Sequence, residues 1–301
     1  MKSLNPLVKG DKVIIISPSG KIDKSKITNA INHLESWGLM VLTGEYSKHK
    51  YYQFAGTDRQ RLQDLQNALD RLDIKAIFCA RGGYGLNRIV DSVDFTRFLK
   101  HPKWIVGFSD ITILHQVINN KFHIPTIHGL MPNSYPDFPL KNKPLNMLKK
   151  TLFGSFPNYK IKSHQLNRKG KGAGKLVGGN LSVLYSLRGT NHDYDFDGKI
   201  LFIEDLSEYH YHVDRMMINL KNGEKLKNLA GLIVGKFSAM KDKSSRFGKS
   251  VEEIIYEAVS EYNYPVCFNF PAGHIKVNLP LIFGKEIELS VDNQNSYIKY
   301  F

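Results

Sequence analysis

The chain has 301 residues, of which 42% are hydrophobic and 23% are charged, a globular composition that excludes a disordered chain and a coiled coil. Lys and Arg number 42 against 28 Asp and Glu, and the resulting formal net charge of +14 suits an anionic substrate, a nucleic acid or a membrane surface. The two cysteines, Cys79 and Cys267, exclude a disulfide scaffold and suit a reducing compartment.

The apolar runs of the sequence are all shorter than the ~18 residues of a membrane helix. The first run, Val13 to Ile16, leads into a turn sequence and predicts a strand rather than the core of a signal peptide. We therefore expect a cytoplasmic protein with no membrane partner. The positive charge is spread along the chain, which favours a solvated lysine-rich surface over a nucleic-acid site.

The first 131 residues alternate strand-like apolar runs with segments that carry apolar residues at helical spacing. This alternation predicts a parallel sheet with helices on both faces and a ligand site at the carboxyl ends of the strands. The segments, in chain order, are DKVIIISPSG, KSKITNAINHLESWG, LMVLTG, DRQRLQDLQNALD, IKAIFCARGGYG, LNRIVDSVDFTRFL, KWIVGFSD and ITILHQVINN.

The composition changes after residue 131. Residues 132–174 hold several prolines and the basic glycine run RKGKGAGK, so they predict an interdomain connection with one short helix, PLNMLKKTLF. Residues 175–301 predict a second domain, with strands at GKILFIED and NLAGLIVGKFS, helices at YHVDRMMINLK and VEEIIYEAVSEY, and a closing hairpin around Asp292.

Ser109 lies between a predicted strand and the helix that follows it at once. A side chain in such a turn is exposed beside outward-pointing backbone N–H groups, the geometry of a nucleophile elbow. The match to G-x-S-x-G is partial, because Gly107 is present but Ile111 takes the place of the second glycine. The alternative is that Ser109 only caps the helix.

The segment CARGGYG, residues 79–85, follows another buried strand. Adjacent glycines let the backbone approach a ligand closely, and their N–H groups could bind an oxyanion or a phosphate. An ordinary tight turn is the alternative. Cys79 lies inside the strand pattern and is expected to be a buried core thiol rather than a nucleophile.

Two further segments contain candidate catalytic side chains. Glu204 and Asp205 follow a buried strand, where a carboxylate could orient a histidine, although a pair of surface acids opening the next helix is the alternative. His274 follows Gly273 in a turn, a suitable position for a general base.

The other histidines compete with His274 for this role. His128 and His115 fall in or beside predicted core elements, and structural roles are expected for them. His210 and His212 alternate and could bind a metal, but the sequence has no matching Cys or His cluster. We therefore expect no metal and no other cofactor.

Together these segments resemble the LD-carboxypeptidase family of serine peptidases, which includes muramoyl-tetrapeptide carboxypeptidases and microcin C self-immunity peptidases. The resemblance implies an α/β fold with an N-terminal, Rossmann-like parallel-sheet domain, similar to class I glutamine amidotransferases, and a smaller β-rich C-terminal domain. It runs along nearly the whole chain, through IISPSG, FAGTDRQRLQDLQNAL, ARGGYG, GFSDIT-x-LH, IHG-x-M, GKLVGGNLSVL, LFIEDLSE…YHVDRM and AGH…NLPL.

The resemblance also implies a catalytic triad of Ser109, Glu204 and His274, in a cleft between the two domains. Backbone N–H groups of Gly83 and Asp110 would form the oxyanion hole. The implied reaction removes the terminal D-alanine from a murein tetrapeptide during cell-wall recycling, without a cofactor. Relatives of this kind are commonly dimers, so a homodimer is expected.

One departure from the family pattern leaves the substrate preference open, because His210 and His212 stand where many relatives have Pro and Arg. An alternative is a microcin-type peptidase that cleaves aminoacyl-nucleotide conjugates. Such a peptidase should need an aromatic side chain in the cleft to stack an adenine. Trp37 and Trp104 lie in helix and strand patterns, so neither is expected to be available for this stacking. A nucleic-acid-binding protein is suggested by the charge alone. An inactive binding protein of the same fold is disfavoured by the intact Ser-Glu-His set.

Overall fold

The computed structural model describes residues 4–301 and divides them into two compact units. Unit 1 extends to Phe156 and also includes Leu279–Ile282, whereas unit 2 comprises Pro157–Asn278 and Phe283–Phe301. No helix in the described part of the chain has both the length and the apolar character needed to cross a membrane.

The strands are numbered here in chain order. They are β1 (Lys12–Ile16), β2 (Met40–Thr43), β3 (Ile74–Cys79), β4 (Trp104–Gly107), β5 (Thr126–His128), β6 (Tyr159–Lys162), β7 (Gly170–Asn180), β8 (Ile200–Leu206), β9 (Gly231–Ser238), β10 (Val266–Cys267), β11 (Leu281–Phe283), β12 (Glu286–Val291) and β13 (Asn295–Tyr300).

The α-helices are numbered in the same way. They are α1 (Lys24–Glu35), α2 (Asp58–Asp70), α3 (Thr96–Lys100), α4 (Thr112–Gln116), α5 (Lys143–Leu152), α6 (Leu181–Ser186), α7 (His210–Asn222) and α8 (Val251–Ala258). Short 3₁₀ turns cover Leu86–Arg88, Val90–Ser92, Ser109–Ile111 and Pro132–Ser134, and one π-helical turn covers Val117–Lys121.

The sheet of unit 1 has the strand order β11-β5-β4-β3-β1-β2. Strands β1 to β5 pair in parallel, so their carboxyl ends share one edge of the sheet. Strands β1, β3, β4 and β5 are largely buried on both faces, which explains their continuous apolar runs, whereas the edge strand β2 is partly exposed. Helix α1 packs its apolar stripe of Ile27, Ala30 and Leu34 in the interior. The parallel α/β prediction for this half of the chain is confirmed.

The sheet of unit 2 is mixed, in the order β10-β9-β8-β7-β12-β13-β6. Strands β7 to β10 pair in parallel, and β7, β12, β13 and β6 pair antiparallel. Helices α7 and α8 pack Val213, Met217 and Ile255 against Ile203 and Val234 of the parallel part. The predicted hairpin is present as β12 and β13, and Asp292 accepts the N–H groups of its turn.

Residues 132–174 differ from the single connection predicted for them. The expected short helix is present as α5, but it belongs to unit 1, whereas β6 and the first residues of β7 belong to unit 2. Gly172 and Gly174 lie inside β7. These positions need glycine because a side chain there would collide with the backbone carbonyls of Ala230 and Gly198. A glycine run that resembles a linker is therefore a strand packed closely against other backbone.

Two further boundaries differ. Strand β11 returns to the sheet of unit 1, although the sequence placed residues 175–301 in one domain. The helix predicted over LNRIVDSVDFTRFL is two 3₁₀ turns and the short α3. Gln66 donates to the carbonyl of Asp94 and accepts its N–H, and the Asp94 carboxylate accepts the N–H of Thr96, so these bonds interrupt a continuous helix.

Candidate active site

Ser109 begins the 3₁₀ turn that follows β4, at the carboxyl edge of the sheet of unit 1. Its φ is +67°, a left-handed conformation that costs a non-glycine residue about 1–2 kcal/mol. Ser109 is not the N-cap residue, since Phe108 precedes the 3₁₀ turn and Ile111 precedes α4. The strained strand-to-helix turn is the geometry expected of a nucleophile elbow.

Two glycines make room for this turn. A Cβ on Gly107 would lie 2.8 Å from Cγ1 of Ile111, so the residue two before Ser109 has to be small. A Cβ on Gly82 would lie 2.7 Å from Cβ of Ser109, 2.9 Å from its Oγ and 3.3 Å from the backbone N of Asp110. The ARGGYG loop therefore packs its first glycine directly on the serine.

The family resemblance predicts that backbone N–H groups of Asp110 and Gly83 supply the oxyanion hole. The backbone N of Asp110 faces Gly82, as described, while its buried carboxylate accepts the N–H of Leu86 at 3.0 Å. Burial raises the pKa of Asp110, against the opposing hydrogen bonds of Ser19 and Leu86 and the charge of Arg61. Gly83 is exposed and has a φ of +105°, a conformation that favours glycine.

Arg61 of α2 holds two loops at this edge of the sheet, a role that the sequence analysis did not identify. Its guanidinium is fully buried and its Nη1 donates to the carbonyls of Pro18, at 2.7 Å, and Gly85, at 2.9 Å. It also pairs with Asp58. The helical spacing indicates that Arg61 is buried, because it lies four residues before Leu65 on the inward-facing stripe of α2.

Glu204 and His274, two of the residues that the family resemblance predicts to be catalytic, lie together in unit 2. Nδ1 of His274 donates to Oε2 of Glu204 at 2.8 Å, and the Glu204 side chain is fully buried while that of His274 keeps 15% of its surface exposed. Burial disfavours the imidazolium, but the hydrogen bond and charge of Glu204, with the charge of Asp205, outweigh it and raise the pKa of His274. The Glu204 carboxylate therefore stabilises the protonated form of His274.

Gly273 allows His274 to reach this carboxylate. Its φ is +119°, and a Cβ would lie 2.8 Å from Oε2 of Glu204. The N–H of Gly273 donates to Oδ1 of Asn278, and the carbonyl of His274 accepts from Oγ of Ser238 at 3.0 Å. The turn is therefore fixed on both sides of the histidine.

Asn180 forms hydrogen bonds with Glu204 and with the neighbouring Asp205. Nδ2 of Asn180 donates to Asp205 at 2.9 Å and to Oε1 of Glu204 at 3.4 Å. Asp205 also accepts the N–H groups of Ser182 and Leu206, which excludes the surface pair that was the alternative for these acids. Burial and then the charge of Glu204 raise the pKa of Asp205 to about 7.

The rival histidines have other partners. His115 is fully buried between Thr126 and the carbonyl of Gly107, and burial lowers its pKa to about 4. His128 is buried against Phe108 in unit 1. His210 and His212 contact the carbonyl of Lys249 and the carboxylate of Glu208.

Two other candidate chemistries concern metal binding and the cysteine thiols. Residues 4–301 contain no group of three or more His, Cys, Asp or Glu side chains that could hold a metal ion. Cys79 is fully buried, and burial raises the pKa of its thiol, which disfavours the thiolate that a nucleophile requires.

Comparison with known proteins identifies the family. Residues 13–129 match the LD-carboxypeptidase N-terminal domain and residues 173–289 match the LD-carboxypeptidase C-terminal domain. The chain is 35% identical to the probable murein peptide carboxypeptidase of Bacillus subtilis, over 99% of this chain and 93% of that protein. The chain belongs to the LD-carboxypeptidase family. It is thus a peptidase, and its fold is that of the family.

Other members of the LD-carboxypeptidase family agree with this assignment. The murein tetrapeptide carboxypeptidase of Pseudomonas aeruginosa is 30% identical over 91% of each chain. The crystal structure of muramoyltetrapeptide carboxypeptidase from Oxalobacter formigenes superposes with a TM-score of 0.87, at 29% identity, over 96% of this chain and 98% of that one. The two-domain fold implied by the sequence resemblance is thereby confirmed.

Proposed function

We propose that this protein is a serine LD-carboxypeptidase that removes the terminal D-amino acid from murein tetrapeptides. The observation that carries the proposal is the buried Glu204–His274 hydrogen bond of 2.8 Å in a family whose members are named for murein peptides. The strained turn after β4 contains Ser109, which is the candidate nucleophile that such a histidine would activate.

The proposed triad is Ser109, Glu204 and His274. Oγ of Ser109 attacks the carbonyl of the last peptide bond, and Nε2 of His274 takes its proton, since Nδ1 is already bonded to Glu204. Glu204 stabilises the imidazolium, which then gives the proton to the leaving amino group. Water hydrolyses the resulting ester by the same route in reverse order.

The oxyanion that forms in each step needs N–H donors. We assign this role to the backbone N–H groups of Gly83 and Asp110, because the loop of the first packs against the turn of the second. Removing one such donor typically lowers kcat by about 10²–10³-fold.

The substrate assignment is tested by product analysis. Purified protein is incubated with a tetrapeptide that ends in an L,D-linked D-alanine, with its L,L-linked diastereomer, and with an aminoacyl sulfamoyl adenosine as the microcin-type substrate. The proposal predicts release of D-alanine from the first compound only. Preferential cleavage of the nucleoside conjugate would assign the chain to the microcin-type activity instead.

The setting of the enzyme is part of the proposal. A cytoplasmic location suits the buried free thiols of Cys79 and Cys267, which need no oxidising compartment. We also propose a homodimer, as the family resemblance implies, and a division of labour in which the N-terminal domain carries the nucleophile and the C-terminal domain carries Glu204 and His274. Light scattering coupled to gel filtration measures the oligomeric state directly.

A further inference from the structure

We propose that a basic-aromatic face on unit 2 binds a carboxylate of the substrate that lies away from the scissile bond. The face consists of the side chains of Tyr209, Tyr211, Arg215, Lys241 and Lys243. This inference rests on the proposed function and adds to it a determinant of substrate choice. Backbone contacts place the face beside His274, and its three cations are exposed and available to a ligand.

The position of the face follows from two strand ends. Strand β8 runs past Glu204 to Leu206, and the N–H of Ser207 donates to the carbonyl of Ser238 at the end of β9, at 2.9 Å. Oγ of the same Ser238 donates to the carbonyl of His274 at 3.0 Å. The chain segments that leave β8 and β9 therefore start next to the proposed general base.

These two segments are tied to each other. The N–H of Lys241 donates to the carbonyl of Glu208 at 2.8 Å, and the carbonyl of Lys241 accepts the N–H of His210 at 3.0 Å. Tyr209 and Lys241 form a parallel bridge between the segments. Backbone hydrogen bonds thus fix the start of α7 against the loop after β9, so the face has a defined frame.

The cations of the face are held over aromatic rings. Nζ of Lys243 lies 4.6 Å and Cζ of Arg215 lies 5.4 Å from the ring centre of Tyr211, and Nζ of Lys241 lies 5.8 Å from that of Tyr209. The two tyrosine rings are 5.6 Å apart and half-buried, whereas the three cations are exposed. A ring positions a cation without neutralising it, so these charges stay available to an anion.

The charge balance around the face favours an anion. Within residues 4–301, Arg215, Lys241 and Lys243 form no ion pair with an acid, whereas Lys249 of the same loop pairs with Glu257 at 2.7 Å. Two of the nearby acids have other partners, since Glu208 binds Nδ1 of His212 and Asp242 accepts the N–H groups of Lys243 and Phe247. A third acid, Asp214, precedes Arg215 on α7, and its charge acts on Lys249. A carboxylate is the anion that a peptide substrate brings, and Lys and Arg bind it through charge-assisted hydrogen bonds.

The test varies the substrate and the face together. Substrate pairs are L,D-tetrapeptides that share the last two residues and differ in one carboxyl group near the amino end, free in one and amidated in the other. We expect the wild-type enzyme to prefer the free acid. In Arg215→Gln and Lys243→Gln, KM for the free acid should rise roughly threefold each, and about tenfold in the double variant, since an exposed charge pair contributes only modestly to binding.

The result is specific if kcat stays unchanged and the amidated substrate is unaffected. Lys160→Gln is the matched control, because Lys160 lies over Tyr297 at 5.8 Å on the far strands of the same sheet and should leave both substrates unaffected. Equal KM values for the acid in wild type and double variant, with an unchanged melting temperature, would overturn the inference. So would competition by adenosine monophosphate that the double variant abolishes, because the face would then bind a nucleotide.

Failure of the proposed function is distinguishable from failure of this inference. If the wild-type enzyme releases no D-alanine from either tetrapeptide, the function is wrong. If it cleaves both and the substitutions change neither KM, the function stands and the face has no part in substrate choice.

Discussion

The two units present their candidate catalytic groups by different physical means. Ser109 of unit 1 is placed by backbone geometry, in a left-handed turn that Gly82 and Gly107 leave room for. His274 of unit 2 is placed by hydrogen bonds and charge, through the buried carboxylate of Glu204. Ser109 directly follows the parallel strand β4, whereas His274 is held by Glu204, which lies within the parallel strand β8. A parallel sheet therefore supports each of the two groups.

The difference shows what each group needs. A nucleophile has to point towards its substrate, and the strained turn, fixed by steric contacts, orients Ser109 without a charged partner although the residue is only 9% exposed. A general base has to change its charge, so its surroundings need a carboxylate that stabilises the charged form. Substitutions in unit 1 should therefore act through geometry, and substitutions in unit 2 should act through protonation.

The largest effect is expected for His274→Ala. Loss of the base should lower kcat by about 10⁴-fold or more, as for other members of serine triads. His128→Ala is the control, because His128 is fully buried in unit 1 and should cost stability rather than catalysis. Steady-state kinetics with melting curves for both variants provide the comparison, and an inactive His128→Ala beside an active His274→Ala would reverse the assignment.

Glu204→Gln tests the electrostatic half of the comparison. We expect kcat to fall by about 10³–10⁴-fold, because the amide cannot stabilise the imidazolium. His274 must be neutral to act as a base, and its pKa is raised above the ordinary 6.5, so the acid limb of the wild-type kcat/KM profile should lie above pH 6.5.

In Glu204→Gln the residual activity should show this acid limb at lower pH, since burial then dominates the pKa of His274. The control is Glu224→Gln, which removes an exposed carboxylate paired with Lys227. An unshifted limb in Glu204→Gln would mean that the carboxylate does not set the charge of the histidine.

Gly82→Ala tests the steric half and should have a smaller effect. The new methyl group would lie 2.9 Å from Oγ of Ser109, so the serine or its loop has to move, and a displacement of about 1 Å costs about 10²-fold in rate. Gly129→Ala is the matched control, because its nearest neighbours lie 3.4–3.6 Å away, at ordinary contact distance. Equal kcat values for the two variants would show that Gly82 does not shape the site.

The sequence allowed prediction of the parts that depend on local pattern. Apolar runs and turn residues predicted the parallel strands, and their positions just beyond predicted strands made Ser109, Glu204 and His274 candidate catalytic residues. The roles within a triad came from the family resemblance and remain a proposal. Of the three proposed triad residues, Glu204 and His274 both belong to unit 2, and the structure shows the hydrogen bond between them.

Other features depend on tertiary contacts that no local pattern shows. Arg61 falls on the buried stripe of a helix, but only the fold brings Pro18 and Gly85 to its guanidinium. The glycines of β7 resemble a linker until their contacts with Ala230 and Gly198 are known. Asn180 looks like a helix cap, and it is one, yet it also bonds both acids behind His274.

The central claim is that Ser109 is a nucleophile activated by His274. Reaction with a fluorophosphonate probe, followed by intact mass and peptide mapping, measures this directly because only an activated serine is modified at an appreciable rate. We expect one adduct, on Ser109, that is absent in Ser109→Ala and forms more slowly by about 10³-fold or more in His274→Ala. An adduct on another residue, or equal labelling rates in wild type and His274→Ala, would contradict it.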